Sequence, residues 1–176
     1  VGQILLAISA VRYHFLGLET PIKEATVKIW IDNDACPRRI RDMIFKRAGK
    51  LMVKVMVVAN RYMRPPPGVM CQVICAGSDF DAADDYIAEH VEKGDLVITS
   101  DVPLADRVIG AGAFALSAYG REFDPDTIKE ALTMRNLNHE LRSAGEIHGG
   151  PEAFGDKQVK AFAGAFDRWL GKRQNS

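Results

Sequence analysis

Asp32 and Asp34 stand two residues apart at the end of Val27-Lys28-Ile29-Trp30-Ile31, an apolar run rich in β-branched and aromatic residues. Such a run predicts a strand, and Pro37 suits the first turn of a following helix, where a missing N–H is no loss. The two carboxylates therefore fall on a strand-to-helix turn. In an open α/β sheet these turns lie at the carboxyl edge of the strands, where ligands bind. Residues two apart in extended chain point to the same side, roughly 6 to 7 Å from each other, a spacing that suits a shared cation. A plainer role also fits, because Asp is a favoured N-cap and complements the positive end of a helix.

The arrangement recurs at Gly94-Asp95-Leu96-Val97-Ile98-Thr99-Ser100-Asp101-Val102-Pro103, again an apolar run, an Asp and a proline. If the two strands are neighbours, about 4.8 Å apart, Asp101 meets Asp32 and Asp34 at one edge. A helix expected over residues 80–93 adds a fourth carboxylate. Phe80, Ala83, Ile87 and Val91 form its apolar stripe and Asp84 falls within it, aimed at the sheet, whereas Asp79 and Asp81 sit where they can serve the helix start. Two carboxylates about 5 Å apart repel by roughly 3 kcal/mol at an effective dielectric of 20, so bound cations readily explain such a cluster. Magnesium or manganese takes oxygen ligands and keeps waters, and a pair of such ions can activate water against a phosphodiester. Asp32, Asp34, Asp84 and Asp101 form the expected metal and catalytic set, with Asp81 peripheral.

The elements that must position these acids fit one α/β domain over residues 26–176, with a mostly parallel sheet. The chain has 176 residues, 47% of them hydrophobic, enough for one core. Lys plus Arg equals Asp plus Glu at 23 each, so no global field draws the protein to nucleic acid or to an anionic membrane, and any such contact must use a local patch. Residues 1–25 are expected to form an extension, either misassigned or loosely ordered, whose apolar stretch Ile4 to Val11 is too short to span a bilayer. Three cysteines, Cys36, Cys71 and Cys75, without paired zinc-ligand spacing point to reduced thiols and a cytoplasmic setting. Cys71 and Cys75 are expected to face the core from one side of a strand, and Cys36 to be buried and structural.

Further along, Ile40, Ile44, Ala48 and Leu51 carry helical spacing after Pro37, with Arg38, Arg39, Arg41, Lys46 and Arg47 on other faces. Arginines at a helix start oppose its dipole and suit an anionic neighbour. Residues 52–59 and 69–75 predict two more strands. Between them Asn60-Arg61-Tyr62-Met63-Arg64 opens a proline-stiffened loop able to grip phosphate and stack a base. Asn60, Arg61, Arg64 and Arg38 are the candidate substrate contacts. Residues 113–116 predict a last short strand, and Asp124-Pro125 a helix start, running to Ala144. Phe154, Phe162, Phe166, Trp169 and Leu170 make the final helix amphipathic and packed on the domain. His139 and His148 form no recognisable ligand set.

Asp32-Asn33-Asp34-Ala35-Cys36-Pro37, Val58-Ala59-Asn60, Asp81-Ala82-Ala83-Asp84, the Gly94 to Ala105 block and Gly149-Gly150-Pro151 together resemble the signature blocks of the bacterial YaiI/YqxD family over about residues 27–170. The resemblance implies a three-layer α/β/α, PIN-like domain whose relatives include metal-dependent ribonucleases, with the acids above as the active set and RNA as the partner. Ser117-Ala118-Tyr119-Gly120-Arg121 stands where the family more often has Asn-Pro-Arg-Gly, which weakens transfer of a binding role to that loop. Two other readings stay open. A haloacid-dehalogenase-type phosphohydrolase would use Asp32 as nucleophile and Asp34 as general acid, and requires a lysine near the acids, for which Lys93 lies at the wrong strand end. A non-catalytic RNA- or protein-binding module would hold a cation or basic partner without turnover.

Overall fold

Apolar runs with no polar face become the central strands. The structure, a computed structural model, describes residues 27–77, 79, 81–143 and 154–174. The expectations for residues 1–25, Phe80, Ala144, His148 and Gly149-Gly150-Pro151 lie outside these residues. In chain order the elements are β1 (Lys28–Asp32), α1 (Arg38–Leu51), β2 (Lys54–Ala59), β3 (Cys71–Cys75), α2 (Ala82–His90), β4 (Leu96–Ile98), α3 (Val102–Gly110), β5 (Phe114–Leu116), β6 (Glu122–Phe123), α4 (Ile128–Ser143) and α5 (Asp156–Gln174). One sheet has the order β3-β2-β1-β4-β5-β6. The first five strands are parallel and β6 pairs antiparallel to β5. The chain steps outward from β1 to β3, then returns to the other side of β1 as β4, so the strand order reverses between β1 and β4.

Alternation along the strands divides the core in two, giving the expected three-layer α/β/α arrangement. Ile29, Ile31 and Val57 meet Ile40 and Ile44 of α1 and Phe162 and Phe166 of α5 on one face. Trp30, Met56 and Val58 meet Ile87 of α2, Leu104 and Val108 of α3 and Ile128 of α4 on the other. Asp32 shares the parity of Trp30, which turns its side chain toward the α2 and α3 layer.

Several boundaries differ from those read in sequence. Pro37 precedes α1 as its cap residue, with φ −58° and ψ 140°, instead of lying in the first turn. Leu51 is exposed at the end of α1, past the part of the helix that packs on the sheet. Met52 adopts a left-handed conformation that closes the helix, so β2 starts only at Lys54. α2 is shorter than expected, because Val91 leaves helical geometry. β3 is an edge strand, and the two cysteines separate in environment: Cys71 is partly buried against the core, but Cys75 is exposed. Two-residue β6 carries too short a pattern to be seen in advance.

Two features fix how the layers meet. Asp95 is buried just before β4, where its Oδ1 accepts from the Lys28 N–H at 2.8 Å and its Oδ2 from Trp30 Nε1 at 2.8 Å and the Glu92 N–H at 3.1 Å. It clamps β1 to β4 at the amino edge of the sheet. Gly120, at φ +85°, closes the turn between β5 and β6, and a Cβ there would lie 2.5 Å from the Ala161 carbonyl carbon of α5. The Tyr119 ring meets Phe154 edge-on at 5.6 Å. The Ser117 to Arg121 loop is thus a docking surface for α5. Replacing Asp95 by Ala takes the acceptor from one buried and two part-buried N–H donors and should lower unfolding free energy by about 3 kcal/mol, read by urea titration of tryptophan fluorescence. Gly120→Ala combines a disfavoured φ with backbone overlap and should cost about 2 to 4 kcal/mol in the same titration.

Candidate functional site

The strand order reverses between β1 and β4, and an open α/β sheet holds its ligands at the carboxyl ends of the strands around such a reversal. Pairing of Ile31 with Ile98 sets Asp32 beside Thr99, the next residue of each strand. The buried Thr99 hydroxyl donates to Asp32 Oδ2 at 3.2 Å and accepts from the Asp101 N–H at 3.0 Å. A single side chain therefore links the ends of both acid-bearing strands. Thr99 was not singled out in the sequence, where it reads as an ordinary β-branched strand residue.

Asp32, Asp34, Asn60, Asp79, Asp81 and Asp84 line one open cavity of about 300 Å³. Asp34 projects from the turn after β1, and its Oδ2 accepts from the Asn60 N–H at 3.3 Å, tying the turn to the end of β2. The turn is also held by the Asn33 N–H to Val58 O at 2.9 Å and by Arg41 donating to Asn33 Oδ1. Asp84 comes from the first turn of α2, half-buried, as its place in the apolar stripe requires. Asp81 precedes α2 in a left-handed conformation at φ 63°, and its carboxylate makes no capping hydrogen bond. Asp81 thus stands at the expected helix start as the N-cap residue, without a side-chain capping bond, and it and Asp79 also belong to the cavity lining.

The two look-alike turns use their acids differently. Asp101 is the N-cap of α3, its Oδ1 accepting from the Leu104 N–H at 2.9 Å, while its Oδ2 lies 3.8 Å from Arg135 Nη2 of α4. α1 has no side-chain cap, so neither Asp32 nor Asp34 has the capping role open to them in the sequence. Asp101 stands behind the cavity, not among its lining residues, yet its charge reaches Asp84.

Burial pushes the Asp32 carboxyl upward, helped by the Asp34 charge and opposed by the Thr99 hydroxyl and nearby backbone N–H groups. Asp84 is pushed up to about 6, first by burial and then by the charges of Asp32, Asp101 and Asp81, with Arg107 opposing. Both shifts arise first from burial and then from neighbouring carboxylates, which the opposing groups offset only in part. Cys36, beside the acids, is pushed up to about 12 by burial, which makes it an inert structural thiol.

The expected substrate contacts disperse. Asn60 lines the cavity, whereas Arg61 and Arg64 are exposed on the loop after β2 and Arg38 makes a loose exposed pair with Asp42 at 3.7 Å. Among the described residues no lysine lines the cavity, and Lys93 lies against Gly112 at the opposite end of β4. The arrangement a phosphoaspartate enzyme needs is therefore not assembled by these residues. Also among them, no three His, Cys, Asp or Glu side chains converge tightly enough to enclose an ion by themselves. The donor set does fit a hard cation in magnesium's usual manner, on one or two carboxylates with waters and substrate oxygens completing the shell. No described helix is long and apolar enough to cross a membrane.

The family model described as "Uncharacterized BCR, YaiI/YqxD family" matches residues 30–172. A UPF0178 protein of Shewanella sp. (strain MR-7) is 46% identical over 143 residues, 81% of this chain and 94% of the relative. A UPF0178 protein of Paraburkholderia phytofirmans is 45% identical over 148 residues, 84% of this chain and 90% of the relative. Among solved structures, a mutant form of Rae1 (YacP) from Bacillus subtilis aligns with 80% of this chain and 99% of its own at 15% identity and a TM-score of 0.32, too low to bear on fold or activity. The match over nearly the whole described region places this chain in the YaiI/YqxD family.

Proposed function

We propose that this protein is a magnesium- or manganese-dependent nuclease that hydrolyses phosphodiester bonds of RNA at the acidic cavity. The observation that supports this reading is the gathering of Asp32, Asp34 and Asp84 around one open cavity at the carboxyl ends of β1 and β2 and the start of α2. The choice of RNA comes from the resemblance to the PIN-like relatives of the family. A bound divalent ion would neutralise substrate phosphate and lower the pKa of an attacking water.

The chain's own groups supply the remainder. Asp32, fixed by Thr99, and Asp34, fixed by the Asn60 N–H, would hold the ion by their carboxylate oxygens, with Asp81 on the lining of the same cavity as a peripheral acid. Asp84, raised toward neutrality and still mostly ionised at pH 7.5, accepts the proton of the attacking water at its carboxylate. Asp101 deepens the negative field from behind. Asn60 in the cavity lining, and the exposed Arg61, Arg64 and Arg38 outside it, would contact the substrate backbone. A non-catalytic binding module predicts the same ion binding without turnover.

Titration with Mn²⁺ in a calorimeter, followed by cleavage of a fluorescent RNA, tests the reading. Wild type should bind and cleave; Asp32→Asn and Asp34→Asn should lose the heat signal and at least a hundredfold in rate, about 2.7 kcal/mol of transition-state stabilisation. Binding without cleavage would favour the binding module, and absence of both would sink the metal mechanism. A second expectation concerns protons. With its folded pKa at about 6 against an ordinary 3.8, Asp84 binds more protons folded than unfolded between those values, so metal-free stability should fall as pH rises through about 4 to 6. For a half-exposed carboxyl, screening leaves a penalty of about 1 kcal/mol. Asp84→Asn should therefore raise the melting temperature in EDTA at pH 7.5 and leave it unchanged at pH 4, while slowing cleavage.

A further inference from the structure

The chain's zero net charge conceals a division between its two helical layers. α1 carries Arg38, Arg39, Arg41, Lys46, Arg47 and Lys50 against one acid, Asp42, whereas α2 carries Asp84, Asp85 and Glu89 and no Lys or Arg. These helices cover opposite faces of the sheet. The basic layer is completed by α5, which lies beside α1.

Two ion pairs join these helices, Arg39 to Asp156 at 2.7 Å and Arg47 to Asp167 at 3.0 Å. They occupy both acids of α5. Because the early residues of one helix pair with early residues of the other, and later with later, the helices run in the same direction. Between them lies a groove of about 350 Å³ lined by Met43, Lys46, Arg47, Lys50 and Ala163. Asp156, Lys160, Ala163 and Asp167 fall on one stripe of α5, at spacings of four, three and four, so exposed Lys160 stands on the stripe that forms the ion pairs. Lys46, Lys50 and Lys160 are exposed and, among the described residues, have no acidic partner. The stripe from Arg39 to Lys50 extends about 16 Å along α1.

Lys46 and Lys50 on the wall of this groove, with Lys160 on the adjoining stripe of α5, give three ammonium groups without an acidic partner among the described residues, an arrangement complementary to a chain of phosphates. Lysine binds phosphate oxygens as a point charge, without the planar fork by which arginine grips a single group bidentately. A concave channel of this shape suits a strand better than the flat surface of a bilayer. α1 also begins just past Asp34, so its basic stripe starts beside the acidic turn. We propose that the α1–α5 groove binds the phosphodiester backbone of an RNA strand through Lys46, Lys50 and Lys160, without base selectivity. Binding itself does not depend on the nuclease reading; only the idea that the strand continues to the cavity does.

The test is fluorescence anisotropy of a labelled 20-nucleotide oligouridylate with wild type in EDTA, which removes any contribution from divalent ions. Each lost single-strand phosphate contact lowers the slope of log affinity against log salt by about 0.7. Changing Lys46, Lys50 and Lys160 together to Gln should therefore weaken binding at least tenfold at 50 mM salt and reduce the slope by about 2. Lys129→Gln on α4 should leave both unchanged. In wild type, the oligonucleotide should also protect the three lysines from amine acetylation, a readout that needs no variant to fold. No wild-type binding, an unchanged slope in the triple variant, absence of protection, or binding to phosphatidylglycerol vesicles in place of RNA would each overturn the proposal. Cleavage in Mg²⁺ without binding in EDTA would retain the nuclease and reject the groove.

Discussion

A carboxylate withdrawn from water must be met by donors or by positive charge, and Asp32 is withdrawn at the end of β1, a strand paired on both edges and covered on both faces. Thr99 meets one oxygen, and the turn's backbone N–H groups assist. Those donors compensate only in part, because burial still raises its affinity for a proton. The neighbouring geometry follows from this. Thr99 has to lie next to Asp32, which requires β4 to pair with β1 in the observed register. That register is held at the other edge by Asp95, which receives donors from Lys28, Trp30 and Glu92. One buried Asp secures the amino end and another sits at the carboxyl end, and only the first has a full set of protein donors.

The parallel sheet was legible because each inner strand is a compact β-branched run punctuated by Asp, Gly or Pro. Asp84 was legible because helical periodicity alone aims it at the sheet. The fate of Asp101 was not. The stretches ending at Pro37 and Pro103 look alike, but two residues separate Asp34 from Pro37 and one separates Asp101 from Pro103. With the shorter spacing the Asp falls on the N-cap and its carboxylate is used by α3; with the longer one Pro37 itself takes the cap position and the acids stay free. Thr99 escaped notice because its role depends on which strand lies beside β4, a fact absent from local pattern. Cys75 was misread for a related reason, since alternation specifies a face but not whether a strand ends up at the sheet edge.

Charge shows the same dependence on tertiary placement. Equal numbers of acids and bases exclude a global field, yet the fold sorts them by layer, with α1 basic and α2 acidic. Arg39 and Arg41, which oppose the dipole at the start of α1, find their partners in distant Asp156 and nearby Asn33, and Arg47 further along the helix pairs with Asp167. Part of the basic face is thereby committed to holding α5, and part remains.

The seat of α5 bears on how the protein is made. Phe162, Phe166, Trp169 and Leu170 cover the same sheet face as α1, beside Ile40 and Ile44, yet they follow every strand in the sequence. On a ribosome, all six strands and α1 emerge before this cover exists, leaving Ile29, Ile31, Val55 and Val57 only half enclosed. The seat is also unforgiving, because Gly120 leaves no room for misalignment against Ala161. The nascent chain therefore passes through a stage with an open apolar face, the kind of surface that chaperones hold and proteases survey, and translation speed over the last helix governs how long that stage persists.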